Sequence, residues 1–127
     1  MLSEGEESLL RVAKKASERA YAPYSGFRVG AALLASDGTL FTGCNIENAS
    51  YGLTICAERV ALGKAVSEGA RSFAALAVWA PVARWPCGAC LQCLAEFAPD
   101  LRILRGGDDG IREAASLAEI FPVPFKL

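Results

Sequence analysis

Two short stretches constrain this chain more than anything else in it: Cys56-Ala57-Glu58-Arg59 and Pro86-Cys87-Gly88-Ala89-Cys90. Cys87 and Cys90 are separated by two residues. At the start of a helix that spacing puts both sulfurs on one side, close enough to share a tetrahedral ion. Cys56 also stands where a helix is expected to begin. Helix N-termini carry partial positive charge and unpaired N–H groups, so both openings stabilise thiolates. A shared site therefore requires a fold that brings two helix starts together. The chain has five cysteines and no histidine. Any transition-metal site must then use thiolate or carboxylate ligands, and soft thiolates favour zinc (Zn2+) over magnesium or calcium. The odd cysteine count argues against a disulfide framework.

The spacings leave three readings open. A Cys-x-x-Cys pair alone fits a thioredoxin-like dithiol. It also fits half of a closed structural zinc site, with Cys93 or Cys44 as the fourth sulfur. The third reading is an open site of three thiolates with water in the fourth position. Glu58, two residues from Cys56, favours the third, because a structural site has no need of an adjacent carboxylate. Three thiolates donate much charge to the ion, and Arg59 is the candidate to offset it by hydrogen bonding to a ligand sulfur.

The rest of the chain reads as scaffold and pocket. Ser3 to Ala20 is expected to be an amphipathic helix, opened by a Ser3/Glu6 capping box, with Leu9, Ala13, Ala16 and Ala20 on its apolar face. Pro23 and Gly26 break it. Phe27 to Ala35 and Leu40 to Asn45 form a hairpin around Ser36-Asp37-Gly38-Thr39. Small residues Gly30, Ala31 and Ala32 let something pack closely on the first strand. Ile46 to Ile55 is an irregular, polar segment and a candidate pocket wall. Helices follow at Cys56 to Ser67 and Cys87 to Phe97, with strands at Phe73 to Ala80 and Leu101 to Arg105. Gly106 to Gly110 is expected to turn, and Ile111 to Ala118 to form a short helix. The prolines of the apolar tail, Ile120 to Leu127, forbid a helix there. Strands alternating with helices imply right-handed crossovers. The expected class is α/β, a three-layer α/β/α sandwich with a mixed sheet, in one domain spanning residues 1–127.

Composition narrows the partners. Net charge is −1 over 127 residues, with no basic stripe, so nucleic acid is not expected. No apolar run reaches the about 18 residues of a membrane span. The acidic start is unlike a targeting peptide, and a cytoplasmic location is expected. Hydrophobic residues make up 53% of the chain, a share that suggests apolar surface covered between subunits.

Five stretches together resemble the small, homotetrameric cytidine deaminases: Tyr21-Ala22-Pro23-Tyr24-Ser25, Phe27-Arg28-Val29-Gly30-Ala31-Ala32, Gly43-Cys44-Asn45-Ile46-Glu47-Asn48-Ala49, Cys56-Ala57-Glu58-Arg59 and Pro86-Cys87-Gly88-Ala89-Cys90. The resemblance runs from about Tyr21 to Phe97 and weakly beyond. It implies hydrolytic deamination of cytidine and 2′-deoxycytidine by zinc-activated water. By matched position, Cys56, Cys87 and Cys90 would be the zinc ligands and Glu58 the proton shuttle. Asn45 and Glu47 would hold the ribose hydroxyls, and Phe27 would pack on the pyrimidine. Tyr51 would lie near the pocket and the subunit contact. Backbone groups of Ala57 and Trp85 would meet the base. Phe125 would reach a neighbouring subunit's site in a homotetramer. Two positions depart from the family pattern. Leu91 stands where arginine is common, which places more of the charge compensation on Arg59. On that basis Arg59→Ala is expected to impair zinc retention or activity, and Leu91→Arg to restore it in part. Trp85 stands where serine is common. Cys93 is expected to be a small core residue.

Overall fold

The computed structural model describes all 127 residues. The first helix, α1 (Glu4–Ser17), opens with the expected reciprocal cap, in which Ser3 Oγ accepts from Glu6 N and the Glu6 carboxylate accepts from Ser3 N. It buries Leu9, Leu10 and Ala13 and stops at Ser17, so Ala16 and Ala20 do not complete one face as expected.

Strands β1 (Gly30–Ala35) and β2 (Leu40–Cys44) pair antiparallel around the turn at Gly38, whose φ of 93° is a left-handed conformation suited to glycine. The first strand begins three residues later than its apolar pattern suggests. Phe27 to Val29 find their partner in Asn45, whose side chain and backbone N both bond to them, instead of in a paired strand. Asn45 Nδ2 donates to Phe27 O at 2.8 Å and its Oδ1 accepts from Val29 N at 2.9 Å.

Helix α2 (Ala57–Ser67), strand β3 (Phe73–Ala80), helix α3 (Gly88–Phe97) and strand β4 (Arg102–Gly107) follow. Cys56 and Cys87 are the N-cap residues of α2 and α3. Residues 111–118 are not the expected helix. Arg112–Ser116 is strand β5, paired antiparallel with β4 from Gly106↔Arg112 to Arg102↔Ser116, and only Leu117–Ile120 is helical, as α4. Good helix formers in Arg-Glu-Ala-Ala are overridden here because β4 offers an unpaired edge, and the Gly110 turn (φ 86°) returns the chain along it. Gly106 and Gly107 accordingly belong to β4 and not to the turn. Gly107 is needed there, since a Cβ would stand 2.6 Å from Ala83 N and 2.7 Å from Ala80 O.

The sheet order is β2-β1-β3-β4-β5, with only β3 and β4 parallel. Alternate residues feed two cores. Ala32, Ala77, Trp79 and Leu104 meet Leu9, Leu10 and Ala13 of α1 on one face. Ala31, Leu33, Leu76, Val78 and Ile103 meet Ala57, Ala61, Leu91, Leu94 and Leu117 on the other. The architecture is the expected three-layer α/β/α sandwich with a mixed sheet. No helix is long and apolar enough to cross a membrane.

Glycines set the layer spacing. A Cβ on Gly30 would lie 1.9 Å from Ala13 O, and one on Gly43 would lie 2.4 Å from Ala57 O. Helices α1 and α2 thus rest directly on strand backbone. Strands β2 and β3 run in the same direction, since each is antiparallel to β1. Helices α2 and α3 therefore both start outside strand C-termini, where open α/β sheets build their crevices.

Candidate active site

The two helix starts bring Cys56, Cys87 and Cys90 together, with all three sulfurs within 4.8 Å of one another. Cys56 Sγ lies 4.0 Å from Cys87 Sγ, and Cys87 Sγ lies 3.6 Å from Cys90 Sγ. Tetrahedral thiolates on zinc, with Zn–S near 2.3 Å, stand about 3.8 Å apart. The donor set therefore fits zinc in chemistry and in spacing. Neither Cys44 nor Cys93 belongs to the cluster. Cys93 is exposed, not the core residue expected, because α3 turns it away from the sheet. The cluster offers three ligand atoms, one fewer than a closed tetrahedral site needs.

Electrostatics at the cluster follow from burial and from Arg59. The Cys56 thiol is pulled down to about 5, chiefly by its hydrogen bond with Cys90 and also by Arg59, against the opposing effect of burial. Arg59 Nη2 donates to Cys56 Sγ at 3.6 Å. Cys90, fully buried, is pushed up by the bond to Cys56 and by desolvation. Arg59 is held protonated by the two sulfurs, and its Nε is buried with no acceptor. Glu58 is 5% exposed. Burial is the main cause that lifts its carboxyl to about 7, and the Cys56 charge adds to it.

A cavity of about 910 Å3 opens beside the sulfurs. Phe27, Asn45, Glu47, Tyr51, Cys56, Arg59 and Cys87 all line it. Two of these residues have structural work that the sequence did not signal. Asn45 is 8% exposed and spends one donor and one acceptor site on the lead-in to β1. Glu47 accepts from Tyr24 N at 2.9 Å, Ser25 N at 3.1 Å and Ser25 Oγ. The Ser25 bond foremost holds its carboxyl below the usual range. Both residues thus brace the pocket rim as well as facing the cavity.

Other expected residues lie elsewhere. Ala57 is fully buried in the core cluster between the sheet and α2. Trp85 is half-buried against the α2/α3 core and is not part of the cavity wall. Phe125 is 70% exposed and stands outside the cavity of its own chain; its backbone exchanges two hydrogen bonds with the Gln92 amide. Leu91 is buried in the core, because α3 faces the sheet there. An arginine at that position would have to extend its guanidinium out of this packing to a polar partner, so the rescue of Arg59→Ala by Leu91→Arg depends on whether it finds a sulfur there. Arg84 carried no motif signal, yet it lines the cavity with its Cζ 4.4 Å from the Phe27 ring centroid. A separate cleft of about 270 Å3, lined by Arg28, Trp79 and Asp108, holds none of the candidate residues.

Residues 3–104 match the family described as the cytidine and deoxycytidylate deaminase zinc-binding region. A cytidine deaminase of Sporosarcina psychrophila is 52% identical over 124 residues, covering 94% of this chain and 90% of that protein. Among solved structures, a cytidine deaminase from Burkholderia pseudomallei superposes with a TM-score of 0.91 at 44% identity, over 98% of this chain and all of that one. The cytidine deaminase of Mycobacterium tuberculosis gives a TM-score of 0.83 at 38% identity, covering 95% and 97% of the two chains.

Proposed function

This chain belongs to the zinc-binding cytidine and deoxycytidylate deaminases and is a zinc-dependent enzyme, and from that premise we propose how it works. The reaction is hydrolysis of cytidine and 2′-deoxycytidine to the corresponding uridines with release of ammonia, in a single catalytic domain. The observation that carries this reading is three sulfurs within 4.8 Å at two helix starts, with a nine-tenths-buried carboxyl two residues from one of them.

Cys56, Cys87 and Cys90 would hold the zinc. Zinc bound there supplies Lewis acidity, which brings water's pKa toward neutrality. Glu58 is the proton shuttle. Its carboxylate takes a proton from the attacking water and delivers it to the ring nitrogen beside the reacting carbon. It then carries the second proton to the departing amine, so that water adds and ammonia leaves in balance. A carboxyl lifted to about 7 by burial can accept and return protons at neutral pH. Arg59 offsets thiolate charge through its bond to Cys56. Phe27 offers the pyrimidine an aromatic face, while Asn45 and Glu47 present the remaining amide and carboxylate valences to the ribose hydroxyls. Glu47 stays ionised for that task because of its bonds to Ser25 and Tyr24. Ala57 and Trp85, whose side chains pack in the core and not on the cavity wall, would offer only backbone groups to the base edge.

Turnover of cytidine, 2′-deoxycytidine, cytosine and cytidine monophosphate by zinc-loaded protein tests the substrate. The two nucleosides are expected to react, and the free base and the monophosphate to be poor substrates. Absence of cytidine turnover would reject the reading.

The active assembly in this reading is a homotetramer with shared sites. Tyr24 (65% exposed) and Tyr51 (91% exposed) line the cavity, with Leu53 (65% exposed) in the same 3-10 turn as Tyr51. They form an apolar rim that a single chain leaves in water. Phe125 is the group that would reach a neighbour's cavity. Light scattering is expected to give four times the chain mass; a fully active monomer would contradict the assembly.

A further inference from the structure

The loop from Pro81 to Pro86 delivers Cys87 to the sulfur cluster, and it is fastened from the side away from the cavity. Ala83 N donates to Asp109 Oδ2 at 3.1 Å. Trp85, two residues before Cys87, packs against the α2/α3 core. Its indole lies against the guanidinium of Arg105, with Cζ 4.6 Å from the ring centroid. Arg105 stands on β4, and its Nη2 donates to Glu113 Oε1 on β5 at 2.7 Å. Its Nε is buried with no hydrogen-bond acceptor. One carboxylate and one aromatic face therefore hold this guanidinium. The indole face is the contact that ties the sheet edge to the metal loop.

We propose that Arg105 is a positioning residue for the metal centre: by clamping Trp85 it fixes the loop that delivers Cys87 and so governs how firmly the three sulfurs retain zinc. The inference rests on the metal site proposed above. Only Pro86 separates Trp85 from Cys87, and its ring fixes φ, so a displacement of Trp85 passes to Cys87 with little loss. Contacts behind a ligand orient it on the metal, and their loss weakens metal retention, so freeing Trp85 loosens the hold on Cys87. The clamp also gives the unusual tryptophan a role outside the pocket, where serine would leave Arg105 without its aromatic face.

The test is the rate at which zinc-loaded protein surrenders its metal to an excess of a chromophoric zinc chelator. Arg105→Met keeps the length of the side chain and removes the guanidinium. It is expected to release zinc about tenfold faster, the scale of losing a supporting contact behind a ligand. Trp85→Ser is expected to match it, and the double variant to be no faster than either single one. Arg105→Lys, which keeps a cation over the ring, is expected to stay near the wild-type rate. Leu9→Ala, on the opposite face of the sheet, controls for stability alone and should lower the melting temperature without changing release. Unchanged release in Arg105→Met, or additive effects in the double variant, would overturn the inference. If Arg105→Met does not fold, Glu113→Gln removes the other anchor from an exposed position, and unchanged release there would overturn it equally. Wild-type protein that takes up no zinc would instead overturn the metal-site reading, so the two failures are distinguishable.

Discussion

Replacing Glu58 by glutamine is expected to yield a folded protein that loads zinc normally and turns over cytidine about a thousandfold more slowly, within the usual range for loss of a positioned acid–base group. Glutamine matches the shape of the carboxyl and keeps the three sulfurs in place, so a variant that loses zinc would point to a structural role instead. The same substitution has a second consequence in the metal-free protein. Burial lifts the Glu58 carboxyl from 4.5 to about 7. Between those values the folded state holds a proton that the unfolded state has released. Stability therefore falls as pH rises through this window, and the full penalty is reached above about pH 7. Removing the titration should make chelator-treated Glu58→Gln more stable than chelator-treated wild type at pH 8, by up to roughly 3 kcal/mol, with the difference vanishing near pH 4. Urea melts at the two pH values measure this. Equal stability at both would mean that Glu58 is not desolvated as the structure has it.

Gly43→Ala is expected to be the most damaging small change in the scaffold. The added Cβ would sit 2.4 Å from Ala57 O and 2.6 Å from Ala61 N, backbone atoms in the first turns of α2. The helix can relieve the clash only by retreating from β2, and Cys56 and Glu58 retreat with it. A cost of about 3 kcal/mol, at the upper end for overpacking, is expected, together with loss of bound zinc at temperatures where the protein is still folded. Gly30→Ala is the comparison. Its Cβ meets Ala13 O at 1.9 Å on the opposite face, under α1. It should lower the melting temperature just as far yet keep zinc until unfolding. Zinc content measured along a thermal melt separates the two. Parallel loss of zinc in both variants would show that the site depends on global stability and not on where α2 rests.

Residue spacing alone carried much of this. The Ser3/Glu6 cap, the hairpin with its Gly38 turn and the starts of α2 and α3 at cysteines are local events. A side chain, a glycine or a helix dipole acts there on atoms only a few residues away, so the sequence displays both cause and effect. The spacings offered Cys56, Cys87 and Cys90 as one of three open readings, and it was the resemblance to the cytidine deaminases that singled out this set. Residues 111–118 failed because their helical propensity is weak against an open sheet edge, and no local signal reveals that β4 has one.

The long-range partner that each polar or apolar group received came from packing. Asn45 and Glu47 read as pocket residues, but their valences are shared with backbone brought in from residues 24–29. Cys93 turned outward and Leu91 inward because the sheet lies on only one side of α3. The Trp85 indole found its partner in Arg105, on a strand twenty residues later. Local spacing was enough to put three thiols and a carboxylate at the openings of two helices. Only the packing of α2 and α3 on one face of the sheet put the sulfurs within 4.8 Å and buried Glu58 beside them. Burial supplies the desolvation that moves the Glu58 carboxyl to about 7, and burial is a property of the whole fold that no short stretch of residues contains.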